Sequence, residues 1–399
     1  TLIPSILAMI GGSKAFWWPR GIKPIKTTRK SKLVEKVVNR AGIVIALFIV
    51  ISLASAYLYT TTFKPSHEYS IALPEGAESA QGLEILKKEL KPGVLAPVYV
   101  ILEFKDNATS ERALKAIEEI SQFIDLLPYT TIVYGPTRPN GTTIPSITLD
   151  TVKEMGGLRY ISGNKVLLKV ALNASPDSEQ ATESLREFRR DLKNMVSKEY
   201  GDLISNVYVG GFTATEVDLD MFLENIFWSK IFPAAFIAMF ILLTLTLRTV
   251  VGALLALILI GCTILWGIAL TTLTFKVILG IPIIWFLPIM VFSIILGVGM
   301  DYFSFYMVRA MEESENKPVK EALAVAGGAV SKIIIGLALI VCGAYATLLL
   351  ASMKLLKELG FALTASIFVI SILTSYTVLP AIISKLGKKA WWPRKNKIR

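Results

Sequence analysis

Residues Ile283–Arg309 read IIWFLPIMVFSIILGVGMDYFSFYMVR, an apolar run with a single carboxylate, Asp301, deep inside it. Crossing the hydrocarbon of a bilayer takes about 20 apolar residues, and at ~1.5 Å rise per residue Asp301 lies roughly 12 Å from Arg309. An ionised acid at a helix centre costs at least ~2.5 kcal/mol and faces a bundle interior or a wet cavity. Gly297, Val298, Ser304 and Phe305 share its face at i−4, i−3, i+3 and i+4. Gly297 and Ser304 are small enough to admit a second helix, so the acid is expected to point at protein. Tyr302, next around the helix, offers a hydroxyl that donates to a carboxylate and relays a proton. The bland alternative is a structural hydrogen-bonding acid; intramembrane acids are functional by default.

Composition agrees with this setting. Hydrophobic residues make up 53% of the 399, and mean hydropathy is +0.57, which marks an integral membrane protein. The net charge of +11 does not indicate nucleic acid, because it is unevenly placed. Residues 63–228 hold 17 Lys and Arg against 24 Asp and Glu, net −7; the rest holds 25 against 7, net +18. Basic residues therefore crowd the short segments beside apolar runs, which is a membrane-orientation pattern. Cys262 and Cys342 both fall in apolar spans, so the polar region cannot contain a disulfide.

The two ends resemble each other. TLIPSILAMIGGSKAFWWPR at Thr1–Arg20 and TVLPAIISKLGKKAWWPR at Thr377–Arg394 share T-x-x-P-x-I and W-W-P-R. This predicts a duplicated protein whose earlier repeat ends within residues 1–40. The indoles of Trp17, Trp18, Trp391 and Trp392 are expected at equivalent cytoplasmic interfaces. From Lys14 to Arg40 nine basic residues face Glu35 alone, and Leu33, Val34, Val37 and Val38 predict a short amphipathic helix lying on the membrane. Residues 41–62 form the first complete span.

The polar domain, residues 63–228, reads as two similar halves. Strands are expected at 96–104, 130–134, 165–172 and 206–211, and helices at 109–127 and 177–200, with Asp177 and Gln180 as a capping box. The order is β-α-β-β-α-β, a ferredoxin-like arrangement, with residues 135–163 as an insertion. Asn107, Asn140 and Asn173 head N-x-[ST] triplets, possible glycosylation sites that agree with an external location. Five further spans are expected at 231–247, 250–275, 283–308, 333–351 and 361–383, within a transmembrane domain at 229–384 that precedes a basic tail at 385–399. Arg248, the 309–332 loop and the seven Lys and Arg after Ile383 fall inside; Lys276 and the Lys354–Glu358 turn fall outside, leaving both ends cytoplasmic. Pro282 and Pro288 are expected to kink the Asp301 helix.

One span, an external ferredoxin-like domain, five spans and a duplicated plan resemble the RND superfamily of transporters. GVGMDYFSFYMVRAMEE at Gly297–Glu313 is similar to the G-x-G-x-D-Y motif of its MMPL-like branch. LPEGAESAQGLEILKKELKPG at Leu73–Gly93 is similar to the segment leading into that family's porter domain, and GGFTATEVD at Gly210–Asp218 to the one leaving it. TVLPAIISKLGKKAWWP resembles its closing segment. The resemblance implies that Asp301 and Tyr302 relay protons and that Gly297, Gly299 and Ser304 pack the relay. It also implies partners: the N-terminal half of the same transporter, membrane lipids, protons, and a lipid or other hydrophobic substrate.

Two other readings use the same fold: a lipid- or sterol-sensing scaffold, which needs no ionisable group at Asp301, and a translocation assistant like the SecDF branch. The Tyr after Asp301 and the WWPR tail favour the MMPL branch. There is no Walker A motif and no H-E-x-x-H, and His67 is the one histidine; a metal site needs partners. No enzyme activity, cofactor, metal or nucleic-acid partner is expected.

Overall fold

The computed structural model describes residues 30–63, 65–66, 73–74, 76–90 and 92–393, with Ser5, Ile6 and Met9. Trp17, Trp18 and His67 lie outside the described residues.

The described chain opens with α1 (Lys32–Asn39), capped by Ser31, and α2 (Ala41–Thr62). The extended pair β1 (Pro65–Ser66) follows, then α3 (Glu78–Glu89). The polar domain contains β2 (Val98–Phe104), α4 (Glu111–Asp125), β3 (Thr130–Tyr134), α5 (Leu149–Glu154), β4 (Ile161–Ser162), β5 (Lys165–Leu172), α6 (Glu179–Glu199) and β6 (Ile204–Gly210). Strand β2 buries Val98, Val100, Leu102 and Phe104 and turns Tyr99 and Ile101 outward, the period-two pattern of a strand with one covered face. Neighbouring strands run β3-β5-β2-β6, and all these pairs are antiparallel. Helices α4 and α6 cover the inner face. Ile117, Ile120 and Ile124 of α4 and Leu185, Phe188 and Leu192 of α6 are fully buried, each such side chain worth about 1.5–3 kcal/mol.

Two details of this domain differ from expectation. The cap of α6 is Ser178, whose Oγ accepts from Ala181 N at 3.2 Å. Asp177 instead turns away to Lys87 at 3.1 Å, because a buried carboxylate gains more from a cation than from a backbone amide. The 135–163 insertion is anchored by Arg138, which bonds Glu118 at 2.8 Å and Asp125 at 2.9 Å. Asn107, Asn140 and Asn173 are all exposed on the surface of this domain.

After the sheet come α7 (Phe212–Leu223), a π-helical turn at Glu224–Ile231 and α8 (Phe232–Leu247), one continuous run. The boundary expected at residue 228 falls inside it. Next are α9 (Val250–Thr271) with a π turn to Ile278, β7 (Ile283–Ile284), α10 (Leu287–Ser314) and α11 (Val319–Ala346). The last span starts as α12 (Lys354–Phe368), loosens into a π segment at Val369–Val378 and ends as α13 (Leu379–Leu386). Six helical runs among the described residues are long and apolar enough to cross a membrane. Ile43, Leu47, Val50 and Leu53 of α2 and Leu339 and Ile340 of α11 are mostly exposed, as lipid-facing residues must be.

Pro288 does not kink the Asp301 helix. It sits in the first turn of α10, where no amide donor is required, and Ile283–Ile284 ahead of it are extended. Strand β7 pairs in parallel with β1, and Pro74 bridges Met353, tying the chain around the sheet domain to one end of the bundle. At the other end Ser31 N donates to Ala324 O at 2.9 Å, and Val34 packs where a Gly327 side chain would stand. Helix α1 therefore buries Val34 and Val38 against protein rather than lying free on a membrane, because Ala324 and Gly327 leave room for it. Thr249 Oγ1 donates to Ala390 O at 2.9 Å there. Trp391 is buried and Trp392 exposed, so only the second indole of that pair is free to face an interface.

Candidate functional site

Helix α10 carries the sequence-predicted residues on two different faces. Asp301, Gly297, Ser293 and Phe305 are exposed along one stripe at i, i+4 spacing, with Ser304 half-buried beside it. No atom stands within 4 Å of where a Gly297 Cβ would be. The packing expected against Asp301 is therefore not made among the described residues. Tyr302, about 100° further round, is fully buried, and its hydroxyl has no partner among the described residues. Asp301 and Tyr302 are neighbours in sequence that look in different directions.

Gly299 belongs to the inner side. A Cβ there would lie 2.5 Å from Ile370 Cδ1 and 3.4 Å from Ile260 Cγ1, so its lack of a side chain lets α9 and the π segment close on α10. Tyr306, one turn past Tyr302, donates from its hydroxyl to Leu323 O at 2.8 Å, and its ring meets that of Tyr376 edge-on at 6.1 Å.

The bundle interior is more polar than an apolar bundle requires, which single-helix periodicity does not reveal. Ser366, Ser371, Thr374 and Ser375 on the last span and Thr263, Thr271 and Thr272 on α9 and its extension are all buried. Most bond carbonyls of their own helices; Ser375 reaches Ile370 O at 2.7 Å, five residues back, as the π winding permits. Thr263 Oγ1 and Thr374 Oγ1 lie 3.3 Å apart across the two helices. Ser366 Oγ has no partner among the described residues and fills the space beside Gly267. The pattern was readable as Ser and Thr inside apolar runs, but only packing shows that they face one another.

Sequence reasoning also missed Glu358. Expected in an exposed turn, it is fully buried in α12; the apolar run that begins directly after it was the available signal. Two adjoining cavities were likewise not foreseen. The first, about 280 Å³, is walled by Tyr59, Trp228, Phe232, Leu257, Ile264 and Phe292 between α2, α8, α9 and α10. The second, about 240 Å³, shares Tyr59, Trp228 and Pro288 with it and adds Arg186 and Asp220, an ion pair 3.7 Å apart joining the sheet domain to α7. An apolar chamber thus abuts a charged one, a shape matched to a molecule with a hydrocarbon part and a polar head. Among the described residues no group of three His, Cys, Asp or Glu is placed to hold a metal.

Comparison with known proteins fits this arrangement. The MMPL family matches residues 72–399. The mycolic acid-containing lipids exporter MmpL11 of Mycolicibacterium smegmatis is 22% identical, over 98% of this chain and 40% of its own length. The apo-petrobactin exporter of Bacillus anthracis is 25% identical, over 89% of this chain and 47% of its own. The putative membrane protein YdgH of Bacillus subtilis is 25% identical, over 65% of this chain and 30% of its own. The chain thus spans less than half the length of each of these relatives. Since the family match takes in the sheet domain and every span after it, the chain is a multi-pass membrane protein and belongs to the MMPL family.

Proposed function

We propose that this chain acts as the C-terminal half of a proton-driven exporter of lipids or other amphiphiles. The observation that carries the reading is Asp301, a carboxyl midway along an apolar helix on a face that nothing else in the described chain covers. An acid cannot stand bare against lipid, so a second helical half packs on the Ser293–Gly297–Asp301–Phe305 stripe and brings a partner to it. Tyr302, whose inward hydroxyl has no partner among the described residues, is read as the group that carries the proton on once water or the second half bridges it to Asp301. Desolvation favours the neutral acid and water favours the carboxylate, so alternate wetting of this face loads and releases a proton.

The antiparallel β-α-β-β-α-β unit is read as a ferredoxin-like porter domain. Its net charge of −7 against basic flanks supports an external position, with both chain ends cytoplasmic. The paired cavities support an amphiphilic substrate, as does the lipid exporter name of one relative; the apo-petrobactin exporter supports export as such. A cysteine placed at Asn107 is expected to react with an impermeant maleimide on intact cells; labelling only after lysis contradicts the orientation. For the activity itself, the complete transporter is reconstituted in proteoliposomes with a fluorescent lipid analogue and an imposed pH gradient. Asp301→Asn is expected to abolish gradient-driven export while remaining monodisperse, and Tyr302→Phe to slow it less, because water replaces a hydroxyl more readily than a charge. Export by Asp301→Asn at the wild-type rate contradicts the proton-relay reading, and absence of gradient-driven export by the wild type favours the sensor or scaffold reading.

A further inference from the structure

We propose that Glu358 is a second proton-binding carboxyl, and that its protonation holds shut a clasp joining α2, α10 and the last span. Glu358 is 0% exposed. Ile284 N donates to its Oε2 at 3.3 Å, and its Oε1 has no partner among the described residues. The bonded amide belongs to β7, which pairs in parallel with β1 through Pro65 opposite Ile283 and Ser66 opposite Ile284; Trp285 N donates to Ser66 O at 3.2 Å. Two residues separate α2 from β1, and two separate β7 from α10. On its other side α12 is pressed against the end of α11, since a Cβ on Gly360 would lie 2.8 Å from Tyr345 O. One acid is thus enclosed where three spans meet the chain that links them to the sheet domain.

Its chemistry follows from that enclosure. The charged and titratable groups on the surrounding elements are Lys354 and Lys357 on its own helix, Lys276 at the end of α9 and Tyr345 on α11; none bonds its carboxyl. Lys64, before β1, and His67 and Glu68, after it, lie outside the described residues. With one neutral donor and no bonded cation among the described residues, an ionised carboxylate is expensive to keep from water. A neutral acid is not, and the unpartnered Oε1 has room for the proton. The closed clasp therefore holds the protonated acid, and loss of that proton draws water in and parts β7 from β1. Because α10 begins at Leu287, such a movement reaches the helix of Asp301 directly. The role in transport rests on the proton-driven reading above; the site itself does not.

Hydrogen–deuterium exchange of the complete transporter in nanodiscs tests the site without any transport. The peptide covering residues 279–287 is followed from about pH 5 to about pH 9, with rates corrected for intrinsic exchange. In wild type, protection of the Ile284 and Trp285 amides is expected to fall as pH rises, by up to about tenfold per pH unit between the pKa of the opened site and that of the closed one, and to level off above it, as a one-proton linkage dictates. Glu358→Gln keeps the shape without the proton equilibrium and is expected to stay protected throughout, whereas Glu358→Asp keeps a titration. A flat wild-type profile overturns the proposal whatever the variants do, and so does the same fall in Glu358→Gln as in wild type. A positioning role alone gives that second result.

Discussion

Gly267 shows how closely single residues decide this bundle. A Cβ on Gly267 would fall 1.7 Å from Ser366 Oγ and 3.0 Å from Ser366 Cβ, so α9 or α12 would have to retreat. At Gly299 the same addition meets only the far end of Ile370, which can turn aside. Gly267→Ala is therefore expected to destabilise the protein by about 1–3 kcal/mol, as overpacking does, and Gly299→Ala by less. Adding Ser366→Ala to Gly267→Ala removes the colliding oxygen and recovers most of the loss. Thermal unfolding in detergent distinguishes the variants; equal midpoints for Gly267→Ala and wild type contradict the packing. Asp301 and Tyr302 were legible at this scale because an acid stands out in an apolar run. Their different directions were not, since adjacency in sequence does not say which face of a helix is already occupied. Glu358 was hidden because two neighbouring lysines make it look like a solvated turn.

At the level of elements, helix α3 is tied to the sheet domain by Lys87 and Asp177. Burial works to raise the Asp177 pKa, but bonds from Ser175 and Lys87 and the charge of Lys87 outweigh it and hold the carboxyl below its ordinary value. A depressed folded value gives stability that is present above the unfolded pKa, about 3.9, and is lost as pH falls through the folded value. Protection of α3 from exchange is thus expected to be steady near neutrality and to drop below about pH 4. Asp177→Asn is expected to loosen α3 at neutral pH by on the order of 1 kcal/mol and to remove most of the acid dependence. An unchanged pH profile in that variant rejects the tie. The strands at Thr130–Tyr134 and Lys165–Leu172 match their sequence reading residue for residue, because alternation and flanking turn residues coincide there. The spans ran longer than read: 319–350 was expected to begin at 333 and 354–391 at 361. Their ends are amphipathic, with Lys320 and Glu321 in one and Lys354 and Lys357 in the other, so hydropathy falls before the helix stops.

Across the whole molecule, the sheet domain is joined to the bundle by the β1–β7 pair, the Pro74–Met353 bridge and the Arg186–Asp220 contact. The adjoining cavities lie at that junction, and Asp301 sits further down α10 on the uncovered side. In this account, protonation at Asp301 shifts α10, and the shift is felt at the junction where an amphiphile passes between apolar and charged chambers. The most direct measurement is proton movement itself: the complete transporter in vesicles holding a trapped pH dye, with a fluorescent lipid analogue supplied as the transported probe. Wild type is expected to move protons whenever the lipid analogue is exported, and Asp301→Asn to move none. Substrate-dependent proton flux through Asp301→Asn at the wild-type rate contradicts the account.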